Sequence, residues 1–126
     1  MNKRPIIILY VKSQALSADF YKSILEKGPV LDVPGMTEFE ITSDCLLGLM
    51  PESSIEKILG NKTPNPSLGS GIPRCELYLL VNDPQAALNK AISLGAKLVS
   101  PLSSRSWGEE VGYCSDPDGH IIAFAK

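Results

Sequence analysis

The sequence predicts an α+β fold in which one strand–helix–strands unit is used twice. Two observations carry this. Residues 5–11 (PIIILYV) and 75–81 (CELYLLV) are apolar runs, each followed by a helical pattern, with Val11 and Val81 seventy positions apart. Each half then closes on a short apolar run, CLLGLM at 45–50 and HIIAFA at 120–125. Length and composition agree: 126 residues, 44% of them hydrophobic, hold one domain or two small fused modules with enough apolar side chains for a packed core. Two half-buried sheets of this kind can pair and curve around a common cleft, where a ligand or chemistry would sit.

The elements follow in order. The first strand is expected over residues 4–11. Lys3 and Arg4 ahead of it mimic the start of a signal peptide, but the apolar run is short and Lys12 ends it, so a strand is the reading. Ser13 is placed to cap a helix reaching Glu26, with Leu16, Phe20 and Ile24 as a buried stripe at four-residue spacing and Gly28-Pro29 as the stop. Strands are expected over 36–42 and 45–50, joined at Ser43-Asp44. Met36, Glu38 and Glu40 alternate with Thr37, Phe39 and Ile41, which gives the first of them one wet face. Pro51 halts the sheet, and residues 52–59 read as a short helix. Residues 60–73 (GNKTPNPSLGSGIP) carry no periodicity and read as a structureless linker, with a lid or a hinge for exchange between subunits as alternatives.

The second half opens with a strand over 74–82. Asp83 caps a helix whose first position is Pro84 and whose inward residues are Leu88, Ala91 and Ile92; Gly95 closes it. A strand over 96–99, a polar loop over 101–107 and a hairpin of 111–115 with 120–125 complete the chain, the hairpin turning at Asp116-Pro117-Asp118-Gly119. The expected organisation is a module at 1–59, a linker at 60–73 and a module at 74–126.

Composition bounds the partners. Net charge is −2 with no basic cluster, so no nucleic-acid partner is expected. The longest apolar run, residues 6–11, is far short of the roughly 20 residues that span a bilayer, so no membrane partner is expected either. Three widely spaced cysteines, Cys45, Cys75 and Cys114, argue against a disulfide scaffold and for a cytoplasmic location.

Period two sorts the opening strands by face. Ile7, Leu9 and Val11 match Leu77, Leu79 and Val81 as an aliphatic face that should lie beneath the helices. Ile6, Ile8 and Tyr10 match Glu76, Tyr78 and Leu80, a mixed face of apolar walls, two phenols and a carboxylate suited to a ligand cavity.

The phrase YVKSQALSADFY, the closing stretch WGEEVGYCSDPDGHIIAF (107–124), and the segments LGLMPES and IPRCELYLLVNDP resemble the vicinal oxygen chelate superfamily. That group includes glyoxalase I, extradiol dioxygenases, fosfomycin-resistance proteins and bleomycin-binding proteins; the last two segments resemble its bacterial glyoxalase-like branch. The resemblance implies paired βαβββ modules, a U-shaped mixed sheet around a cleft, and usually a homodimer. It also implies four inward slots for one divalent metal, which here fall on Ile6, Gly48, Glu76 and Ala123. Only Glu76 offers a ligand atom, whereas a catalytic site needs about three donors and a structural one about four, so no metal cofactor is expected. His120, the single histidine, has the opposite parity from Ala123 and is expected to face helices or solvent, and Asp116 and Asp118 read as turn residues rather than a calcium loop.

The remaining candidates follow. Glu76 is either an edge carboxylate in water or a cavity group that binds a cation or acts as a base. Tyr10 and Tyr78 are hydrogen-bonding anchors or cavity packing; Trp107 is a stacking wall or a cap on the sheet edge; Arg105 holds an anion or is solvated. Met50 lines the cavity or belongs to the core, and Cys75 and Cys114 read as buried and inert. The ligand-binding set is therefore Ile6, Ile8, Tyr10, Met50, Glu76, Tyr78, Arg105, Trp107 and Ala123. The leading functional expectation is a metal-free binding protein for a small, partly aromatic or cationic molecule. The alternatives are a metal-dependent lyase, isomerase or dioxygenase, on resemblance alone, and a metal-independent enzyme with Glu76 as base.

Overall fold

A computed structural model describes residues 4–126. The chain forms two compact units, one ending at Ser70 and one spanning Gly71–Lys126.

The first unit runs β1 (Ile6–Val11), α1 (Gln14–Leu25), β2 (Leu31–Val33), β3 (Met36–Thr42), β4 (Cys45–Pro51) and α2 (Glu52–Leu59), followed by single 3-10 turns at Gly60–Lys62 and Pro66–Gly69. Its four strands are ordered β1-β4-β3-β2, with β1 parallel to β4 and the other pairs antiparallel. The helix starts where Ser13 turns extended, and the Ser13 hydroxyl accepts the Leu16 N–H at 3.2 Å. Ser17, Phe20 and Tyr21 form its buried stripe, the last two ring edge to ring face at 5.2 Å. Leu16, expected inside, is 70% exposed. The stripe is set one position later, by Ser17 four residues before Tyr21, and Leu16 is turned about 100° away from it. Strand β2, three residues long and set between Pro29 and Pro34, is too short to show a period in the sequence.

The second unit runs β5 (Glu76–Leu80), α3 (Pro84–Ser93), β6 (Lys97–Ser104), β7 (Glu110–Ser115) and β8 (Ile121–Ala125). Its order is β5-β8-β7-β6, again with one parallel pair, β5 with β8. Both units are thus βαβββ modules with the same pairing. Asp83 caps α3 by accepting the Ala86 N–H at 3.1 Å, with Pro84 in the first turn. Leu88 and Ala91 are buried, whereas Ile92, expected beside them, is 38% exposed. The loop expected over 101–107 begins late: β6 continues through Pro101 to Ser104. It does so as an edge strand with register shifts between Leu98 and Ser103, the setting in which a sheet tolerates a proline that cannot donate.

Residues 60–73 are not structureless. Besides the two turns, in the second of which Asn65 Oδ1 accepts the Ser67 N–H at 2.9 Å, the Gly71 N–H donates to Asp118 O at 3.1 Å. Gly119 has a φ of +88°, and a Cβ there would stand 2.5 Å from Gly71 Cα, so the two backbones are in contact. Cys75, expected to be buried, is exposed; Cys114 is fully buried. No helix among the described residues is long and apolar enough to cross a membrane.

Candidate functional site

Each sheet has one face beneath its module's first helix and one face opposite it. In the first module, Gln14 of α1 reaches Thr37, which places Thr37 and Phe39 on the helix side with Leu47, Leu49, Leu9 and Val11. Cross-strand partners share a face, so Ile8, Gly48, Glu38 and Leu31 form a row on the opposite side, flanked by Ile6, Leu46 and Glu40 and by Tyr10 and Met50. Ile6 and Ile8 are exposed there, while Tyr10 and Met50 are half-buried. Arg4 forms an ion pair with Glu40 at the end of this face.

In the second module, Leu88 of α3 lies against Gly112, which puts Gly112, Cys114, Ile122 and Phe124 on the helix side. The opposite face carries the row Tyr78, Ala123, Tyr113, with Glu76 and Ile121 to one side and Leu80, Ala125 and Val111 to the other. Ala123, Ala125 and Val111 are wholly buried, and Tyr113 packs on them. Above this floor the turn between β6 and β7 closes through Arg105 N–H to Glu109 O at 2.8 Å and Gly108 N–H to Arg105 O at 3.1 Å. Gly108, at φ +96°, allows that reversal and leaves Trp107 at its tip, 56% exposed.

Three side chains meet there. The Trp107 indole N–H donates to the Tyr78 hydroxyl at 3.0 Å, and the Tyr78 hydroxyl donates to Glu109 Oε1 in a short hydrogen bond. Desolvation, then the bond to the carboxylate, hold the Tyr78 hydroxyl above its ordinary value of 10.0, so at neutral pH it is a donor aimed at Glu109. Glu76 is exposed on the same face, two residues along β5. The structure thus joins Tyr78 with Trp107, sets Ala123 beside Tyr78, and adds Glu109 and Tyr113, neither of which the sequence reading singled out. No signal local to Glu109 in the sequence places its carboxylate at Tyr78, 31 positions away.

Arg105 has another task. Its guanidinium donates to Val111 O at 2.9 and 3.2 Å, to Ser100 Oγ at 3.0 Å and to Pro101 O at 3.0 Å, and lies 5.1 Å from the Tyr113 ring centre. It clasps the irregular part of the β6–β7 ladder. Asp116 serves a turn in the same way, its Oδ1 accepting the Asp118 and His120 N–H groups at 2.9 Å each.

The four slots implied for a metal do not fit one. The space beside Gly48 is taken by hydrocarbon and thioether: a Cβ there would meet Ile8 Cγ1 at 3.0 Å, and Ile6 Cγ2 and Met36 Sδ at 3.2 Å. Ala123 offers a buried methyl, leaving Glu76 as the single donor. Among the described residues no group of three or more His, Cys, Asp or Glu is placed to hold a metal ion. A separate cleft of about 420 Å³ lies on the helix side of the first module, lined by Gln14, Ala15, Ala18, Asp19, Asp32, Val33 and Pro34.

Comparison with known proteins agrees with this architecture. Residues 5–126 match the model of the glyoxalase-like domain family. An uncharacterised protein of Mycobacterium bovis is 28% identical over 115 residues, covering 89% of this chain and 75% of its own. A glyoxalase-related enzyme from Fulvimarina pelagi superposes with a TM-score of 0.81 at 21% identity, over 99% of this chain and 88% of that one. A glyoxalase/bleomycin resistance protein/dioxygenase family enzyme from Burkholderia phytofirmans PsJN gives 0.81 at 13% identity, over 95% and 94%. At these identities the two structures share the fold.

Proposed function

The chain belongs to the glyoxalase-like domain family, and from that premise we propose that it is a metal-free binding protein for a small organic molecule. One observation carries the reading: three of the four slots where the resemblance puts metal ligands hold isoleucine, glycine and alanine, Glu76 is left as the single donor, and hydrocarbon and thioether atoms crowd the glycine. A surface that has exchanged donors for hydrocarbon gains contact with apolar ligands and loses Lewis acidity. The face with Ile6, Ile8, Tyr10 and Met50 supplies apolar contact; the face with Tyr78, Trp107, Ala123 and Glu76 supplies aromatic contact and polar anchors. The second of these faces has by itself the composition of a small-molecule site, apolar and aromatic surface with few directed polar groups. We place the protein in the cytoplasm as a homodimer; its three free thiols suit a reducing compartment.

Two measurements test the reading. Calorimetric titration of chelator-treated protein with nickel, zinc and manganese is expected to give no stoichiometric heat; micromolar stoichiometric binding overturns the metal-free part. A thermal-shift screen over aromatic and cationic compounds is expected to yield saturable rises in Tm, because a ligand that binds only the folded state stabilises it. A screen without any such rise counts against the binding role.

A further inference from the structure

We propose that Glu109, held by the Tyr78 hydroxyl beside the exposed indole of Trp107, is the recognition group for a positively charged organic nitrogen, an alkylammonium carried on an apolar body. This deepens the binding reading given above and rests on it.

Four observations converge. The carboxylate is aimed: one oxygen accepts the Tyr78 hydroxyl, which is itself fixed by the indole N–H at 3.0 Å, so the group is oriented before any ligand arrives. Among the described residues no cation pairs with Glu109, and the cation nearest in the loop, Arg105, is committed to Val111 O, Pro101 O and Ser100 Oγ. A second carboxylate, Glu76, stands on the same strand face roughly 7 Å from Tyr78, two strand rises away, so the field of this patch is negative. Finally, the patch presents aromatic surface: Trp107 is 56% exposed and Tyr78 37%, while the floor of Ala123, Ala125 and Val111 is small and closed. A carboxylate beside exposed aromatic side chains over an apolar floor is the chemistry that selects an alkylammonium over a neutral or anionic group. An anion would meet two carboxylates; a neutral body would meet the rings alone.

Trp107 is the single tryptophan of the chain, so its fluorescence reports on this corner directly. Benzyltrimethylammonium and its neutral carbon isostere, neopentylbenzene, are titrated into the wild-type protein with tryptophan emission as the readout. The expected result is a saturable emission change with the cation binding about tenfold or more tightly than the isostere, a gap that narrows as salt is added. In Glu109→Gln, which keeps an acceptor for Tyr78, the cation is expected to lose about tenfold in affinity and the isostere to be unchanged. The wild-type comparison needs no variant, so it stands even if the substitution perturbs folding. Equal affinity of the two probes, retention of cation affinity in Glu109→Gln, or binding that leaves Trp107 emission unmoved overturns the inference. If the isostere binds as well as the cation, the small-molecule reading survives and the cation assignment falls; if neither binds, the assignment falls and the thermal-shift screen decides the broader reading.

Discussion

The two modules share strand order, pairing sense and side-chain capping of the first helix, by Ser13 in one and Asp83 in the other. They part in what the face opposite that helix displays. The first module shows apolar side chains crowding a glycine: Ile6, Ile8 and Met36 over Gly48. The second shows rings and carboxylates around an alanine: Tyr78, Tyr113, Trp107, Glu109 and Glu76 about Ala123. The braces differ to match. Gln14 ties the β2–β3 turn with neutral bonds to Val33 O at 2.8 Å, Thr37 Oγ1 at 2.9 Å and the Gly35 N–H at 2.9 Å, whereas a charged Arg105 ties β6 to β7. A shared backbone plan therefore fixes the sheet and leaves each open face to diverge, one toward apolar contact and one toward polar recognition.

The sharpest test of the second module's framework is Gly119→Ala. A Cβ 2.5 Å from Gly71 Cα meets backbone rather than a side chain, and φ is +88°, so no rotamer change absorbs it. Steric overlap and left-handed strain together are expected to cost about 3 kcal/mol, read as a lower denaturation midpoint. The first module has no counterpart, because its β3–β4 turn at Ser43-Asp44 contains no glycine. A near-neutral result would mean that Gly71 does not rest on the turn in solution.

Next in size is Arg105→Lys. A lysine keeps the charge but not the fork that reaches three acceptors and covers Tyr113. A loss of about 2 kcal/mol is expected, from charge-assisted bonds discounted for partial exposure. Gln14→Ala, removing neutral bonds in the first module, is expected to cost about 1 kcal/mol. Equal costs in a denaturant titration would erase the contrast between the braces.

These braces mark the boundary of what sequence reading reached. Local signals were legible: Ser13 and Asp83 as caps, the Asp116–Gly119 turn, and the alternation in Met36–Thr42, because each is written within a few adjacent residues. Half of the Tyr78 corner was legible, since Tyr78 and Trp107 stood out by type and parity. Glu109 did not, because it meets Tyr78 across 31 positions through a turn that only the folded hairpin sets. The bracing role of Arg105 is hidden for the same reason, since the carbonyls that occupy it lie in a ladder whose register shifts are not visible in one dimension. Leu16 misled because four-residue spacing alone does not choose between adjacent stripes.

The helix-side core of the second module answers to pH. Burial, with a smaller push from Asp116, raises the Cys114 thiol from 9.0 to about 11. The unfolded chain therefore sheds this proton first, and stability present below pH 9 is expected to fall as pH rises toward 11. In Cys114→Val that part of the slope is expected to vanish, leaving the contribution of Tyr78, whose hydroxyl is also held above its ordinary value of 10.0. Denaturant midpoints at matched pH values check this; an unchanged slope in the variant would place the titration elsewhere.

The smallest expected effect bears most directly on the comparison. Gly48→Ala gives the first module the methyl that Ala123 already supplies in the second. The new Cβ would lie 3.0 Å from Ile8 Cγ1 and 3.2 Å from Ile6 Cγ2 and Met36 Sδ, all of them side-chain rather than backbone atoms, with Ile6 and Ile8 partly exposed. A shift of a few tenths of an ångström in these side chains costs some packing, and replacing a strand glycine with alanine recovers backbone entropy, so a net change within about 1 kcal/mol of zero is expected. If the open face of the first module is only a contact surface, this variant keeps the thermal shifts produced by apolar compounds at slightly reduced size. If those shifts disappear while stability holds, the apolar face around Gly48 is itself the ligand's seat in the first module.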